Sequence, residues 1–273
     1  MSKEPGGRLL LGTQGFAFDD WVGPFYPEGT SKRKYLEEYA KRLPSVEIDS
    51  SFYGTPRATT VQGWFERTPA EFRFAAKFPR LITHDKQLQG AEADAHAFVA
   101  TMQNLGEKLG VLVLQFAYDF TPEHAERLEA FLGALPQGIR YAVEVRNRKW
   151  LTPELGELLS AHNAALVLQD LHYMPRLDWI TADFTVIRWL GRRKDISHFD
   201  EIQIDRTSNL EWWAERVLKF IQSGVDVFGY FNNHFAGHSP ASARQFAEML
   251  GTQVWDLSGT KGEGQSPTGT NDE

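Results

Sequence analysis

The chain has 273 residues, a length that suits one large α/β domain or two small ones, and 42% hydrophobic and 13% aromatic residues supply a substantial core. A net charge of −7 gives no global electrostatic footprint for nucleic acid, although a local basic cleft stays open. Cysteine is absent, which excludes disulfides, thiolate metal sites and a cysteine nucleophile.

The start, MSKEPGGRLLLG, has too short an apolar run for a signal peptide, and no segment approaches the length needed to cross a bilayer. The expectation is a cytoplasmic protein that needs no membrane, with residues 1–7 as a lead. Short apolar or alternating runs then recur at 8–16, 45–54, 72–78, 111–116, 141–147, 165–170, 184–191 and 225–233. These are eight strand candidates. Helical spacing lies between most of them: Leu36, Tyr39, Ala40 and Leu43; Leu128, Phe131, Leu132 and Leu135; Ala243, Phe246, Ala247 and Leu250. Thr121-Pro122, Thr152-Pro153 and Ser239-Pro240 place a hydroxyl before a proline, as at helix starts, and Gly251 marks a helix stop. Residues 171–183 show no helical pattern. The end of the chain, rich in Gly, Thr and acidic residues, predicts a disordered tail over 258–273.

Alternation of strand and helix predicts parallel βαβ units: an α/β chain forming a single (β/α)8 TIM-barrel-like domain over 8–257, ahead of an open doubly wound sheet. No glycine-rich phosphate turn follows the first strand, which disfavours a dinucleotide-binding sheet. Long loops follow strands one, three and seven. The first carries Phe18, Trp21, Phe25 and Tyr26, expected both to plug the barrel and to wall its mouth.

In such a barrel one strand face packs on helices and the other fills the interior. In SVEIDSSFYG, Val46, Ile48, Ser50 and Phe52 are expected to face helices, and Glu47, Asp49, Ser51 and Tyr53 to point inward. The same parity sends Lys77, Gln115, Glu144, Arg146 and Arg188 inward, together with one amide of Asn232-Asn233; on the sixth strand either Gln169 or Asp170 fits. Acids and bases thus gather late in their strands, where barrels hold active sites. The plain alternative is a structural ion-pair network, since buried charges must pair. The histidines show no zinc spacing, and no Gly-x-Ser-x-Gly elbow occurs. His84, His234 and His238 fall in expected mouth loops, and Arg192-Arg193-Lys194 reads as a solvated run, with steering of an anion as the alternative.

The strings GTQGFAFDDWVGPFYP, VEIDSSFYGTP, FRFAAKF, LVLQFAYDF, AVEVRNRKW, ADFTVIRWLG and YFNN together resemble the domain-of-unknown-function family 72, also called YecE-like, across nearly the whole chain. The resemblance implies a TIM-barrel-like fold and marks Glu47, Tyr53, Lys77, Gln115, Glu144, Arg146, Trp150, Arg188, Asn232 and Asn233 as motif positions. It supplies no activity. Asp49 stands where the pattern has Asn, Gln14 where it has Ser, and Asn147 and Leu190 where it has His. Losing both histidines weakens any mechanism built on imidazole or a histidine-bound metal.

The leading functional expectation is a hydrolase acting on an anionic small molecule or a phosphodiester. Lys77, Arg146 and Arg188 would hold the anion, phosphate or carboxylate, with Tyr53, Gln115, Trp150, Asn232 and Asn233 around it. Glu47 and Glu144, with Asp49, would transfer protons. The alternatives are a glycosidase-like carbohydrate enzyme and a non-catalytic metabolite-binding protein. No cofactor is expected; a divalent metal and a nucleic-acid partner rest on fold analogy alone.

Overall fold

Parallel strands pair in chain order and the last returns to the first, closing an eight-stranded barrel. They are β1 (Leu9–Gln14), β2 (Ser45–Ile48), β3 (Arg73–Lys77), β4 (Leu109–Gln115), β5 (Tyr141–Glu144), β6 (Ala165–Asp170), β7 (Phe184–Trp189) and β8 (Asp226–Phe231). The computed structural model describes residues 6–192 and 195–251. The expected tail at 258–273, most of the lead, and Arg193 and Lys194 lie outside the described residues.

The period of two in each strand separates two cores. Ala75, Val111, Val113, Ala142, Ala165, Val167, Val186, Phe228 and Tyr230 fill the barrel interior. Val46, Ile48, Phe74, Leu112, Leu114, Val143 and Ile187 pack outward in a larger cluster. The helices of that outer layer include α1 (Tyr35–Ala40), α2 (Ala58–Glu66), α3 (Glu92–Met102), α4 (Ala125–Ala134), α5 (Pro153–Ala161) and α6 (Thr207–Gln222). In α6 a one-sided stripe of Leu210, Trp213, Val217 and Phe220 is buried. The short α7 (Asn233–Ala236) and α8 (Ser239–Met249) complete the chain, and Gly251 follows α8 with φ +68, as a helix stop should. Residues 171–183 form no helix.

Two expectations fail here. β2 stops at Ile48, because its register with β3 ends at the Ile48–Ala76 pair. Asp49 turns to helical dihedrals and Ser50–Tyr53 wind into a 3-10 turn, with the Ser51 hydroxyl donating to the Ile48 carbonyl at 3.0 Å. Tyr53 is therefore not inside the barrel but 85% exposed, and Phe52 does not face a helix. The aromatic loop after β1 neither plugs the barrel nor walls its mouth: Trp21, Phe25 and Tyr26 are buried in the outer cluster against Tyr35 and Tyr39, and none of them lines the mouth cavity described below.

The β1–β2 seam sets Gln14 beside Glu47. A Cβ on Gly12 would lie 1.9 Å from the Ser45 carbonyl oxygen across that seam. Gly12→Ala should therefore cost about 2–3 kcal/mol and lower the melting temperature by roughly 5–10 °C. An unchanged melting curve would show that the seam yields freely.

Candidate functional site

The C-terminal ends of the strands carry one buried ionic layer. Arg188, near the end of β7, lies fully inside the barrel. Its Nη2 donates to Glu47 Oε1 of β2 at 2.8 Å and to Gln14 Oε1 of β1 at 3.1 Å. Its Nη1 donates to Glu144 Oε2 of β5 and to Gln115 Oε1 of β4 at 3.2 Å. One planar fork thus ties four strands, a geometry that a lysine ammonium would not reproduce. Lys77 of β3 lies 2.6 Å from Asp49 Oδ1 and 3.8 Å from Glu47 Oε1. Arg146, two residues past β5, pairs with Glu144 Oε1. The layer therefore balances three cations against three carboxylates.

Above it opens a cavity of about 650 Å³. Its floor and walls include Lys77, Arg146, Arg188, Gln14, Gln115 and Asn232, with Asp49 as the carboxylate that reaches it. Glu47 and Glu144 do not line it; both are wholly buried beneath the guanidinium groups. The charges are thus stacked: buried carboxylates, then cations, then open space.

Burial pushes the Glu47 carboxyl up to about 7, against the pull of Arg188 and Lys77. Its Oε2 is buried without a hydrogen bond among the described residues. Burial acts on Glu144 in the same direction, but Arg146 and Arg188 together outweigh it and hold this carboxyl below the usual range. Two carboxyls on one guanidinium are thereby driven apart. Burial also lowers His84, which lines the cavity, and its Nδ1 lies 2.9 Å from the Thr83 hydroxyl.

Other sequence-derived candidates fall elsewhere. Trp150 is buried among Phe120 and its neighbours, its Nε1 donating to the Phe120 carbonyl at 2.7 Å; it packs the scaffold and does not reach the cavity. Asn233 likewise stands behind the site, its Oδ1 accepting from the backbone and hydroxyl of Ser239 at the start of α8. Asn232 does line the cavity, its Nδ2 donating to Gln14 at 3.0 Å. Tyr53 lines it from the rim rather than from inside. On β6 Gln169 is the residue beside Arg188, whereas Asp170 accepts from Asn209 and Trp213 of α6. His238 is buried against Trp21 and Phe25 and pushed down to about 4 by that burial.

Sequence reasoning missed His172, Tyr173 and the placing of Phe52 at the cavity wall; the first two follow β6 in a segment without periodic signal, and Phe52 sits on the turn after β2, where the strand pattern persists beyond the strand. His234, expected only in a mouth loop, also reaches the wall. Among the described residues no group of three or more His, Asp or Glu stands together as a metal cage, and no helix is long and apolar enough to cross a membrane.

The family described as "Protein of unknown function DUF72" matches residues 10–266. UPF0759 protein YunF of Bacillus subtilis is 25% identical over 284 aligned positions, covering 89% of this chain and 94% of that protein. UPF0759 protein YecE of Escherichia coli is 36% identical over 112 residues, a stretch that spans 41% of each. A DUF72 family protein of Thermotoga maritima, TM1631, superimposes with a TM-score of 0.77 at 26% identity, covering 89% of this chain and 99% of that one.

Arg188→Met tests whether the layer is one electrostatic unit. Removing the shared partner of two buried carboxylates should cost about 3–5 kcal/mol. Without the guanidinium both folded-state carboxyl pKa values rise above their unfolded values. Such groups add stability that is complete below the unfolded pKa and is lost as pH climbs through the folded one. The deficit should therefore be larger at pH 8 than at pH 5 in denaturant unfolding; a pH-independent deficit would break the assignment.

Proposed function

This chain belongs to the family of proteins of unknown function DUF72, and we propose that it is an enzyme that hydrolyses a small anionic molecule at the C-terminal mouth of its barrel. The observation that carries this reading is the stacking of charge. Arg146, Lys77 and Arg188 border the cavity, while Glu47 and Glu144, which neutralise much of their charge, lie underneath. An anion entering the cavity meets donors, and the carboxylates behind hold those donors in place.

In this reading Arg146 and Lys77 bind the anionic group, Arg188, whose Nη donors are taken by Glu47, Gln14, Glu144 and Gln115, adds positive charge from beneath, and Gln115 and Asn232 supply polar contacts. Asp49 is the cavity-facing carboxylate, and its partner is Lys77 at 2.6 Å. It accepts a proton from an attacking water as the water oxygen bonds to the electrophilic centre. The same proton then goes to the ester oxygen as its bond breaks. Glu47 and Glu144 are positioning residues rather than the expected acid/base pair, because neither touches the cavity.

The carbohydrate reading loses ground for the same reason. It needs two carboxyls flanking one bond, and both glutamates are held on one buried guanidinium. A purely metabolite-binding protein would use the same floor without turnover.

Sulfate is the sharpest probe, because its own charge does not change near neutral pH. With Glu47 ionised the layer is neutral; with Glu47 protonated it carries one net positive charge. Sulfate affinity should therefore fall as pH rises from roughly 6 to 8, approaching about tenfold per pH unit at the upper end. Calorimetry should show this slope in the natural protein and a flat profile in Glu47→Gln. Arg146→Ala should bind at least about tenfold more weakly. No sulfate or phosphate binding by the natural protein would end the anion reading.

For turnover, a panel of phosphate and carboxylate esters should be hydrolysed. Asp49→Asn should lower kcat by about 10²–10⁴-fold while retaining sulfate binding. Binding without turnover of any ester would leave the binding-protein reading in its place.

A further inference from the structure

The tyrosines divide in a way the hydrolytic reading does not use. Of eight in the chain, Tyr26, Tyr35, Tyr39, Tyr141 and Tyr230 are buried. The other three, Tyr53, Tyr118 and Tyr173, are exposed, and all stand at the mouth. Tyr53 and Tyr173 line the cavity, and Tyr118 follows Ala117, which does. Exposed apolar surface that is gathered at one cavity marks a binding wall more than scattered exposure would.

Each lining tyrosine is coupled to a cation of the floor. Tyr53 meets Phe52 edge-on at 5.6 Å between ring centroids, and Lys77 Nζ lies 5.6 Å from the Phe52 ring centre. Tyr173 accepts a hydrogen bond from Arg146 Nη1 at 3.3 Å and meets His172 edge-on at 5.0 Å. The first pair follows β2 and the second follows β6, so in the closed eight-stranded barrel the two aromatic walls face each other across the cavity. Tyr53 presents the more open ring, 85% exposed, yet it sits on a turn pinned by Ser51 and by the Gly54 amide bond to the Ser51 carbonyl at 3.3 Å. Such a turn fixes where the ring is anchored, and the open ring face is available for stacking.

We infer that the anion taken by this site is joined to a flat heteroaromatic ring, as in a mononucleotide, with the anionic end on the Arg146–Lys77–Arg188 floor and the ring stacked on Tyr53. The inference rests on the anion-binding reading of the same cavity. The cavity volume of about 650 Å³ is that of a small-molecule site. A net charge of −7 opposes a long polyanion, so a single nucleotide is favoured over a nucleic-acid strand. Stacking on an aromatic side chain tolerates any base, so the class is set by the ring and not by its edge groups.

The experiment is a calorimetric series on the full chain with inorganic phosphate, ribose 5-phosphate, AMP, UMP and a short single-stranded oligonucleotide. Both nucleotides should bind at least about tenfold more tightly than phosphate or ribose 5-phosphate. Tyr53→Ala should erase that gain while keeping phosphate affinity within about twofold, and Arg146→Ala should weaken all of these ligands. Circular dichroism and the melting curve of Tyr53→Ala should match the natural protein, since this ring packs on little. If phosphate binds but ribose 5-phosphate equals AMP, or Tyr53→Ala changes nothing, the ring inference falls and the anion reading stands. If none of the ligands binds, both fall. If the oligonucleotide binds more tightly than AMP with a steep salt dependence, the ligand is a strand and the mononucleotide assignment is overturned.

Discussion

One guanidinium organises the upper half of this barrel. Arg188 reaches Glu47, Glu144, Gln14 and Gln115 from an almost wholly buried position at the cavity floor. A charge moved there without partners would be prohibitively costly, and two carboxylates on one arginine would still leave a surplus negative charge. Arg146, Lys77 and Asp49 settle that surplus, each from a different strand end or loop. The layer therefore stands or falls together. Each strand end must come to the height at which its group meets the fork. Branched apolar side chains could fill the same space, as Val111, Val113, Val167 and Val186 do one layer down, and often with no loss of stability. The layer sits at the C-terminal ends of the strands, where barrels of this kind hold active sites, and not in the middle.

What was legible in the sequence was whatever the period of two governs. It assigned Glu47, Lys77, Gln115, Glu144 and Arg188 to the interior, because alternation fixes a residue's face once its strand is known. It could not say where alternation stops. SVEIDSSFYG keeps its pattern through Tyr53, but β2 ends where its pairing with β3 ends. The turn-forming run Asp49-Ser50-Ser51, whose side chains compete with the ladder for backbone groups, was the available signal. Depth was equally hidden. Glu47 and Asp49 share a parity, yet one is sealed and the other meets the cavity, a difference set by the stagger of the whole barrel. Trp150 and Asn233 show a further limit. A family motif marks positions that matter without saying whether they touch a ligand or hold up what does. His84, His172 and His234 reach the wall from the helical turn Leu81–Asp85, from the segment after β6 and from the four-residue α7, all too short or too irregular to carry a period.

The departures from the family pattern are not scattered. Gln14, Asp49 and Leu190 all line the cavity, and Asn147 supports its rim by donating to the Tyr118 carbonyl at 2.9 Å. The side-chain oxygen of Gln14 accepts from both Arg188 and Asn232, and so joins the buried fork to the cavity wall. A serine hydroxyl, one bond from Cβ, is shorter than this amide and would leave a different set of donors pointing upward. Asp49 adds a negative charge where an amide stands in the pattern, and this charge closes the balance of three against three. With a neutral group there, the layer would present one more net positive charge to the cavity.

Under the proposed anion-binding reading, that position bears on how an acidic protein would select an anion. Over distances beyond about 8 Å at physiological ionic strength, screening hides the donors of the floor from a ligand in solution. A long polyanion would nevertheless lay its charges along the acidic exterior, where each is opposed. A small anion that enters the cavity leaves that exterior behind and meets donors whose countercharges lie on their far side. The effective dielectric is lower there than in bulk water, so the short-range attraction grows as the long-range repulsion fades. Entry, and not encounter, becomes the discriminating step. The aromatic walls act at the same step, since they reward a ligand only after its charged end is seated. Burial of Glu47, one layer beneath, decides how much net charge that ligand finds.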